Sequence, residues 1–426
     1  MSTEFRSPFM SANESVASPS GRHDVLIIGG GAGGIALAAS LHKRRTELDI
    51  AIIDPADHHD YQPGQTMVGG GVFQASQIRR PMRDVMPEFV HWYPQAAEAI
   101  DPEARRVTLD DGRALDYRAL VVAPGLVLDW GAIEGLEATL GENGVTSNYR
   151  YDLAPYTWSL VESLSSGRAL FTQPPMPIKC AGAPQKAMYL ACDAWRRRGV
   201  LDNIDVSFHN AGGALFGVAD YVPALQEYVS RYGIDLCFQQ TLKAVDGPSR
   251  KAVFRVQGEA GEEDVEVAFD MLHVVPPQRA PELVSRSVLA NDAGWLDLDD
   301  STLQHRHYPS VFGLGDVSGT ANAKTAAAVR KQAPVVAENL LAWLDDRPLA
   351  AAYLGYGACP LTVERGRVVL AEFGYGGQLQ PTLPTWLIEG TRATRLGWTL
   401  KAHVMPRLYW DAMLKGREWL VEPASR

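Results

Sequence analysis

No stretch of this sequence reaches the roughly 18 consecutive uncharged apolar residues that a bilayer-crossing helix needs, so no membrane-spanning segment is expected. Cysteine is scarce: Cys180, Cys192, Cys237 and Cys359 are the only four in 426 residues, at wide and irregular spacings. That excludes a disulfide scaffold and the usual zinc clusters, and no metal is expected. Any disulfide here would be chemical rather than structural. Basic charge is also short, with 40 Lys and Arg against 50 Asp and Glu. The resulting net charge of −10 argues against nucleic acid as a partner. Residues 1–22 lack the apolar run of a secretory signal and read as a disordered leader, which makes a cytoplasmic protein the default. What is present suits a large enzyme: 46% hydrophobic and 21% charged residues allow more than one core and two or three domains.

The first chemical motif follows a buried strand pattern, Asp24 to Ile28. Six small residues, GGGAGG, come next, and Gly29, Gly31 and Gly34 fill the G-x-G-x-x-G frame ahead of a small, apolar helix, IALAASLHKR. A second strand, Asp49 to Ile53, ends in Asp54, about 20 residues beyond the loop, where a carboxylate can accept hydrogen bonds from a ribose. Strand, glycine loop, helix, strand and terminal acid together describe a dinucleotide site.

FAD is the expected dinucleotide, because a second signal lies far downstream. His307 to Asp316 reads as a strand ending in Gly315-Asp316, followed by a small-residue helix over 323–339. In two-dinucleotide flavoproteins such a strand returns the chain to the first domain, its aspartate meets the ribityl chain, and the next helix points its N-terminus at the flavin ring. Leu120 to Gly125 (LVVAPG) is similar to the crossover strand of those proteins. The expected fold is α/β, with two doubly wound, Rossmann-like domains and a C-terminal amphipathic, membrane-binding region. The FAD domain is discontinuous, over 23–150 and 300–350; the second domain covers 151–299, and residues 351–426 form the C-terminal part. Strands of the second domain are expected at Arg168 to Thr172, Ile204 to His209, Asp235 to Phe238, Ala252 to Val256 and Met271 to Val275. A second glycine fingerprint is missing there. The turn after Thr172 holds prolines, Lys179 and Cys180, with Gly182 alone left over, so the architecture is kept without a nicotinamide site.

Cys180 precedes a helix with Pro184 in its first turn and is flanked by Lys179 and Lys186. Positive side chains and a helix N-terminus both depress a thiol pKa, which describes a reactive thiolate. Cys192 shares a helix face with Met188, Ala191 and Trp195, and Cys237 is mid-strand; both read as core. Cys359 falls in what reads as a glycine-rich turn with Pro360, before a strand beginning near Arg367. With the cofactor between the two halves, Cys180 and Cys359 are both candidates to reach it.

Four strings, IDPADHHDYQPGQTMVGGG, PIKCAGAPQKAMYLACDAW, KTAAAVRKQ and YGACPLTVERGRVVLAEF, resemble sulfide:quinone oxidoreductases, particularly the group that includes the mitochondrial enzyme. The resemblance runs from about Asp24 to Trp410, and KCAGAPQK is its most specific part. It implies that Cys180 and Cys359 are the catalytic redox pair and that Gly29, Gly31, Gly34, Asp54, Gln62, Asp316 and Lys324 bind FAD. Asp54 departs from the family's usual glutamate, and Gln65 from its usual aromatic. The implied chemistry is attack of hydrosulfide on a disulfide or sulfur-bridged pair, leaving a persulfide on Cys359 and a thiolate on Cys180. Electrons then pass through the flavin to a quinone, and a small acceptor (sulfite, a thiol or further sulfide) removes the sulfur. His58, His59 and Glu364 are candidate proton carriers, though a surface or packing role is the plainer reading of each.

A quinone acceptor needs access to lipid. Residues 390–417 carry six Arg or Lys against one Asp, and Trp386, Trp398, Trp410 and Trp419 lie in or beside them. That pattern describes a peripheral, monotopic anchor on the cytoplasmic membrane, with Phe373, Tyr409 and Trp410 as candidate quinone contacts. The alternative is a helix pair packing on its own protein or on a second subunit, which leaves a homo-oligomer open. Two other functions remain: an NAD(P)H-linked flavoprotein quinone or disulfide reductase, and the flavin subunit of a cytochrome-linked sulfide dehydrogenase. The missing second glycine fingerprint, and the absence of a C-x-x-C or C-x4-C pair, weigh against the first. The Trp-rich basic tail weighs against the second.

Overall fold

The computed structural model describes residues 21–258, 261–321 and 323–426. The first twenty residues of the expected leader lie outside them, and its last two, Gly21 and Arg22, already belong to the opening strand, Gly21–Ile28. That strand is flanked in parallel by Ile50–Ile53 on one side and Ala114–Val122 on the other. Val90–Tyr93 and Val311–Gly313 extend the parallel sheet at either end. Val25 to Ile28 and Ile50 to Ile53 are all buried, as expected of parallel strands covered on both faces. One cover is the Ala32–Arg44 helix packed with Ala326–Leu344, through Ile35, Leu37 and Leu41 against Val336 and Leu340. The other contains Val284, Leu289, Trp295 and Leu296.

The second sheet is also parallel, with Val145–Thr146, Met271–His273, Gly167–Gln173, Ile204–Asn210 and Asp235–Phe238 in that spatial order. Ala252 to Val256 is a strand but not a member of it. It lies in Lys251–Gly258, the centre of a separate antiparallel sheet, because short hairpins favour that pairing over a crossover. The packing also moves both edges of the expected second domain. Ile133, Leu136 and Val145 pack with Leu170 and Leu272, so the chain leaves the first domain before residue 150. Ala280, Val284 and Leu289 pack on the first sheet, so it returns before residue 300.

The helix expected over 323–339 runs instead from Ala326 to Leu344. Thr325 caps it, its hydroxyl accepting from Ala328 N at 3.1 Å. Beyond it, Gly357–Glu364 and Arg367–Phe373 form an antiparallel hairpin that packs on the Ala183–Arg198 helix. A helical run from Arg395 to Lys415 follows, with two π-helical segments, Leu400–Val404 and Leu408–Ala412, and Ala424–Ser425 then pairs with Ala351–Ala352. No helix among the described residues is long and apolar enough to cross a membrane.

Candidate active site

A cavity of about 530 Å³ opens where the glycine loop, the cysteine turn, the start of the Ala326–Leu344 helix and the C-terminal run converge. Gly29, Gly31, Asp54, Gln62, Asp316, Lys324 and Cys180 all line it. Each loop glycine has a separate steric reason. Gly29 sits at φ +104, where a Cβ would lie 2.3 Å from the Ala123 carbonyl oxygen; at Gly34 a Cβ would lie 1.8 Å from the Gly29 oxygen. A Cβ on Gly31 would meet nothing within 4 Å, which leaves its backbone open to a ligand. Gly34 therefore supports the loop from beneath and does not line the cavity. Asp54 accepts from Gly30 N at 2.5 Å and still faces the cavity.

These residues fit a flavin dinucleotide. Besides the bare backbone at Gly31, Asn148 lines the cavity, is buried, and has neither side-chain polar atom hydrogen-bonded, so it carries capacity for a polar ligand. Lys324 Nζ donates to the Asp316 and Ser318 carbonyls at 2.7 and 2.8 Å and sits 4.0 Å over the Trp295 ring. Burial pushes its pKa down to about 8 and raises that of Asp316. Lys179 Nζ donates to Gln62 at 2.9 Å.

Cys180 and Cys359 come together from 179 positions apart, with Sγ atoms 3.7 Å from each other. Cys180 adopts φ +49, a left-handed backbone unusual for a residue with a Cβ. Hydrogen bonds hold it there: its N–H donates to Lys324 O at 2.9 Å, its carbonyl accepts from Ala183 N at 2.7 Å, and the single Tyr149 hydroxyl hydrogen is shared between the carbonyls of Lys179 and Cys180. Pro184 is the second helical residue, after Ala183, with Gly182 at the cap. Gly182 matters for a second reason, since a Cβ there would lie 2.4 Å from Cys359 Sγ.

Of the two lysines expected to flank the thiol, Lys186 is the one that binds it, donating to Cys180 Sγ at 3.0 Å. The hydrogen bond with Cys359, then the charge and hydrogen bond of Lys186, hold the Cys180 thiol well below its ordinary pKa against the cost of burial. Cys359 is pushed well above its ordinary value by the contact with Cys180 and by burial. Cys192 is fully buried with its pKa raised by desolvation, as a core residue; Cys237 is only half-buried, on the Asp235–Phe238 strand.

Cys359 is not in a turn but inside the Gly357–Glu364 strand. Alternation along the hairpin separates two environments. Cys359, Leu361, Val363, Val369 and Ala371 face the Ala183–Arg198 helix and its core, while Tyr356, Ala358, Pro360, Leu370 and Glu372 line the cavity from the opposite face.

The C-terminal residues divide differently from the expectation. Tyr409 lines the cavity and shares a 2.7 Å hydrogen bond with His59, whose other ring nitrogen is 3.2 Å from Gly30 O. Trp410 is buried in the first-domain core with Arg80 4.1 Å over its ring, and Phe373 packs edge-on against Phe216; neither lines the cavity. Lys401, expected to face lipid, points inward, donates to Pro63 O at 3.2 Å and lines the cavity. Burial and the like charge of Lys186 push its pKa down to about 7. Glu364 is at the far end of its strand in a network with Arg196, Arg231 and Arg367, and His58 is exposed beside Asp57. Burial lowers the pKa of His59.

A family profile described as pyridine nucleotide-disulphide oxidoreductase matches residues 23–172. The mitochondrial sulfide:quinone oxidoreductase of Dictyostelium discoideum is 39% identical over 396 residues, covering 92% of this chain and 86% of that protein. The chain belongs to the sulfide:quinone oxidoreductases. The mouse mitochondrial member of the family is 37% identical, over 92% of this chain and 87% of its own. Among solved structures, the sulfide:quinone oxidoreductase of Aquifex aeolicus shares the fold with a TM-score of 0.76 at 20% identity, covering 94% of this chain and 92% of that one.

Proposed function

We propose that this chain oxidises hydrogen sulfide to sulfane sulfur at Cys180 and Cys359 and passes the electrons to a quinone. FAD is the flavin, held by Gly29, Gly31, Asp54, Gln62, Asp316 and Lys324; when bound, it takes up the electron pair from the sulfur side and delivers it to the quinone. The reading rests on the approach of two sulfurs from distant segments, one of which lines the cavity built on the glycine loop. Hydrosulfide attacks the bridged pair at Cys359, so a persulfide forms there and the displaced electrons settle on Cys180 as a thiolate. Cys180 is the better leaving group because its thiol is the more acidic of the two. Lys186 holds the thiolate in place, and Cys180 rather than Cys359 faces the cavity. Sulfite, a small thiol or further sulfide then takes the sulfane sulfur from Cys359.

The test is anaerobic titration of the purified protein. Sulfide should bleach the flavin absorbance and a short-chain quinone should restore it, while NADH leaves it unchanged. Bleaching by NADH and not by sulfide would return the reading to a nicotinamide-linked reductase.

The quinone is reached from a membrane surface. Trp386 and Trp419 are 83% and 57% exposed, as are their neighbours Leu387 and Leu420, and Leu396 and Val404 are exposed on the segment between them. Together with Arg392, Arg395 and Arg407 they suit the interface of an anionic bilayer. Replacing Trp386 and Trp419 together by serine should reduce flotation with anionic vesicles by about tenfold or more, with sulfide bleaching intact. Equal flotation of variant and wild type would refute the assignment.

A further inference from the structure

Oxidising hydrosulfide to sulfane sulfur releases two electrons and one proton, whereas reducing a quinone to a quinol takes two electrons and two protons. One proton must therefore enter from solvent on the quinone side. The cavity face of the hairpin carries an acid and a hydroxyl suited to deliver it. Glu372 and Tyr356 are 6% and 7% exposed and both line the cavity. The Tyr356 hydroxyl donates to Glu372 Oε1 at 2.6 Å and lies 2.9 Å from the Thr382 hydroxyl, while Thr382 N donates to the same carboxylate oxygen at 3.2 Å. Glu372 is fixed through its backbone as well, since its N–H donates to the Tyr221 hydroxyl and its carbonyl accepts from it, both at 2.9 Å.

Among the described residues no cation makes an ion pair with this buried carboxylate; Arg330 and Lys331, on the Ala326–Leu344 helix, act on it only through their fields. A buried carboxylate without an ion-pair partner depends on the hydrogen bonds it receives, here from Tyr356 and Thr382 N. Burial also raises the pKa of Tyr356, so its hydroxyl relays a proton without ionising. Leu383, Leu400, Val404 and Leu408 add apolar lining to the same cavity, and the exposed Trp419 and Leu420 line it too.

Resting on the activity above, we propose that Glu372 and Tyr356 form the proton-delivery site for the quinone. In the loaded state Glu372 first takes a proton from solvent and donates it to the Tyr356 oxygen, reversing the hydrogen bond between them and freeing the Tyr356 hydrogen for a quinone carbonyl oxygen; as the electron pair arrives, the Tyr356 proton moves to that oxygen and the Glu372 proton refills Tyr356. Glu372 is then reprotonated from solvent. Both residues touch the substrate or its proton and are catalytic in that sense, and Thr382 positions the Tyr356 hydroxyl.

The experiment follows the two half-reactions in one preparation of the flavin-loaded protein. In Glu372→Gln and in Tyr356→Phe, sulfide bleaching should stay within about twofold of wild type, while quinone-driven recovery slows by about a hundredfold. Proton uptake, read with an indicator dye, should slow with it. Quenching of tryptophan fluorescence by a short-chain quinone should show weaker binding to the oxidised Tyr356→Phe protein, by a few-fold. Recovery and proton uptake at wild-type rates in both variants would overturn the proposal. So would bleaching and recovery falling together, which marks a structural role. A wild-type protein that does not bleach with sulfide would instead overturn the activity on which the proposal rests.

Discussion

Cys359→Ser is expected to remove sulfide-driven bleaching of the flavin, by roughly three orders of magnitude or more, while dithionite still bleaches it and flavin content is unchanged. The chemistry needs a sulfur–sulfur bond as electrophile, and an oxygen at this position cannot enter one. The site also predicts that the loss is chemical. Cys359 is 3% exposed and packed against Gly182 and Leu361 inside a paired strand, so a slightly smaller side chain is accommodated without a clash. Cys180→Ser should give the same spectroscopic result by another route, since the thiolate facing the cavity is lost. Stopped-flow spectra under anaerobic conditions check both. Retention of more than a few per cent of wild-type bleaching in either variant would mean that the pair is not the route.

Removing the charge beside the pair is the second large effect. Lys186 is buried at 3% exposure; burial works against its ammonium, but the neighbouring Cys180, through charge and a hydrogen bond, helps to outweigh this and raise its pKa. In Lys186→Met, Cys180 loses both a charge-assisted hydrogen bond and a neighbouring positive charge, so its pKa rises. A bond of this kind contributes about 1.5–3 kcal/mol, so sulfide-driven reduction at neutral pH should fall by about tenfold to a hundredfold. The sign of the pH dependence follows from the thiolate being the deprotonated form. In the wild type Lys186 favours the ionised form of Cys180, and the comparison is the variant-to-wild-type rate ratio at each pH, in which the titration of hydrosulfide itself cancels. In the variant the thiolate is scarce at low pH and returns as pH rises through the new pKa, so the deficit is largest in acid and closes in alkali. Lys401 moderates the loss: with the like charge of Lys186 gone, its own pKa recovers from about 7 and more of it is charged. A variant profile running parallel to the wild type at every pH would refute the electrostatic account.

The parts of this site legible in the sequence are those that backbone sterics force into short motifs. Gly29 and Gly34 are required by two close approaches in one loop, Gly31 keeps its backbone open beside them, and Asp54 follows at the fixed distance set by one helix and one strand. Lys186 was legible as a helical neighbour of Cys180. The strand around Cys359 was hidden because Gly355, Gly357 and Pro360 imitate a turn. Only Gly355, at φ +76, has turn geometry; Gly357 is small because a Cβ would lie 2.5 Å from Ala323 Cβ. Pro360 is tolerated because its strand pairs on one side only. The facing of the C-terminal run was illegible for a different reason. The basic and aromatic residues of 390–417 were read by composition as one membrane-attracted pattern, and composition does not show that Lys401, Tyr409 and Trp410 turn inward along a run with two π-helical segments. Domain edges near 133 and 280 were missed because those segments carry no motif and declare themselves only through what they pack against.

The two-residue repeat of the Gly357–Phe373 hairpin has an electrical consequence. On the activity proposed above, the persulfide-bearing Cys359 and the residues that would meet the quinone stand on opposite faces of a single thickness of backbone, like compartments either side of a bulkhead. Because each face is selected only by odd or even position, inserting one residue between Gly357 and Cys359 would rotate the sulfur toward the lipid-soluble partner. The ladder's parity, as much as any side chain, keeps the two couples wired in series.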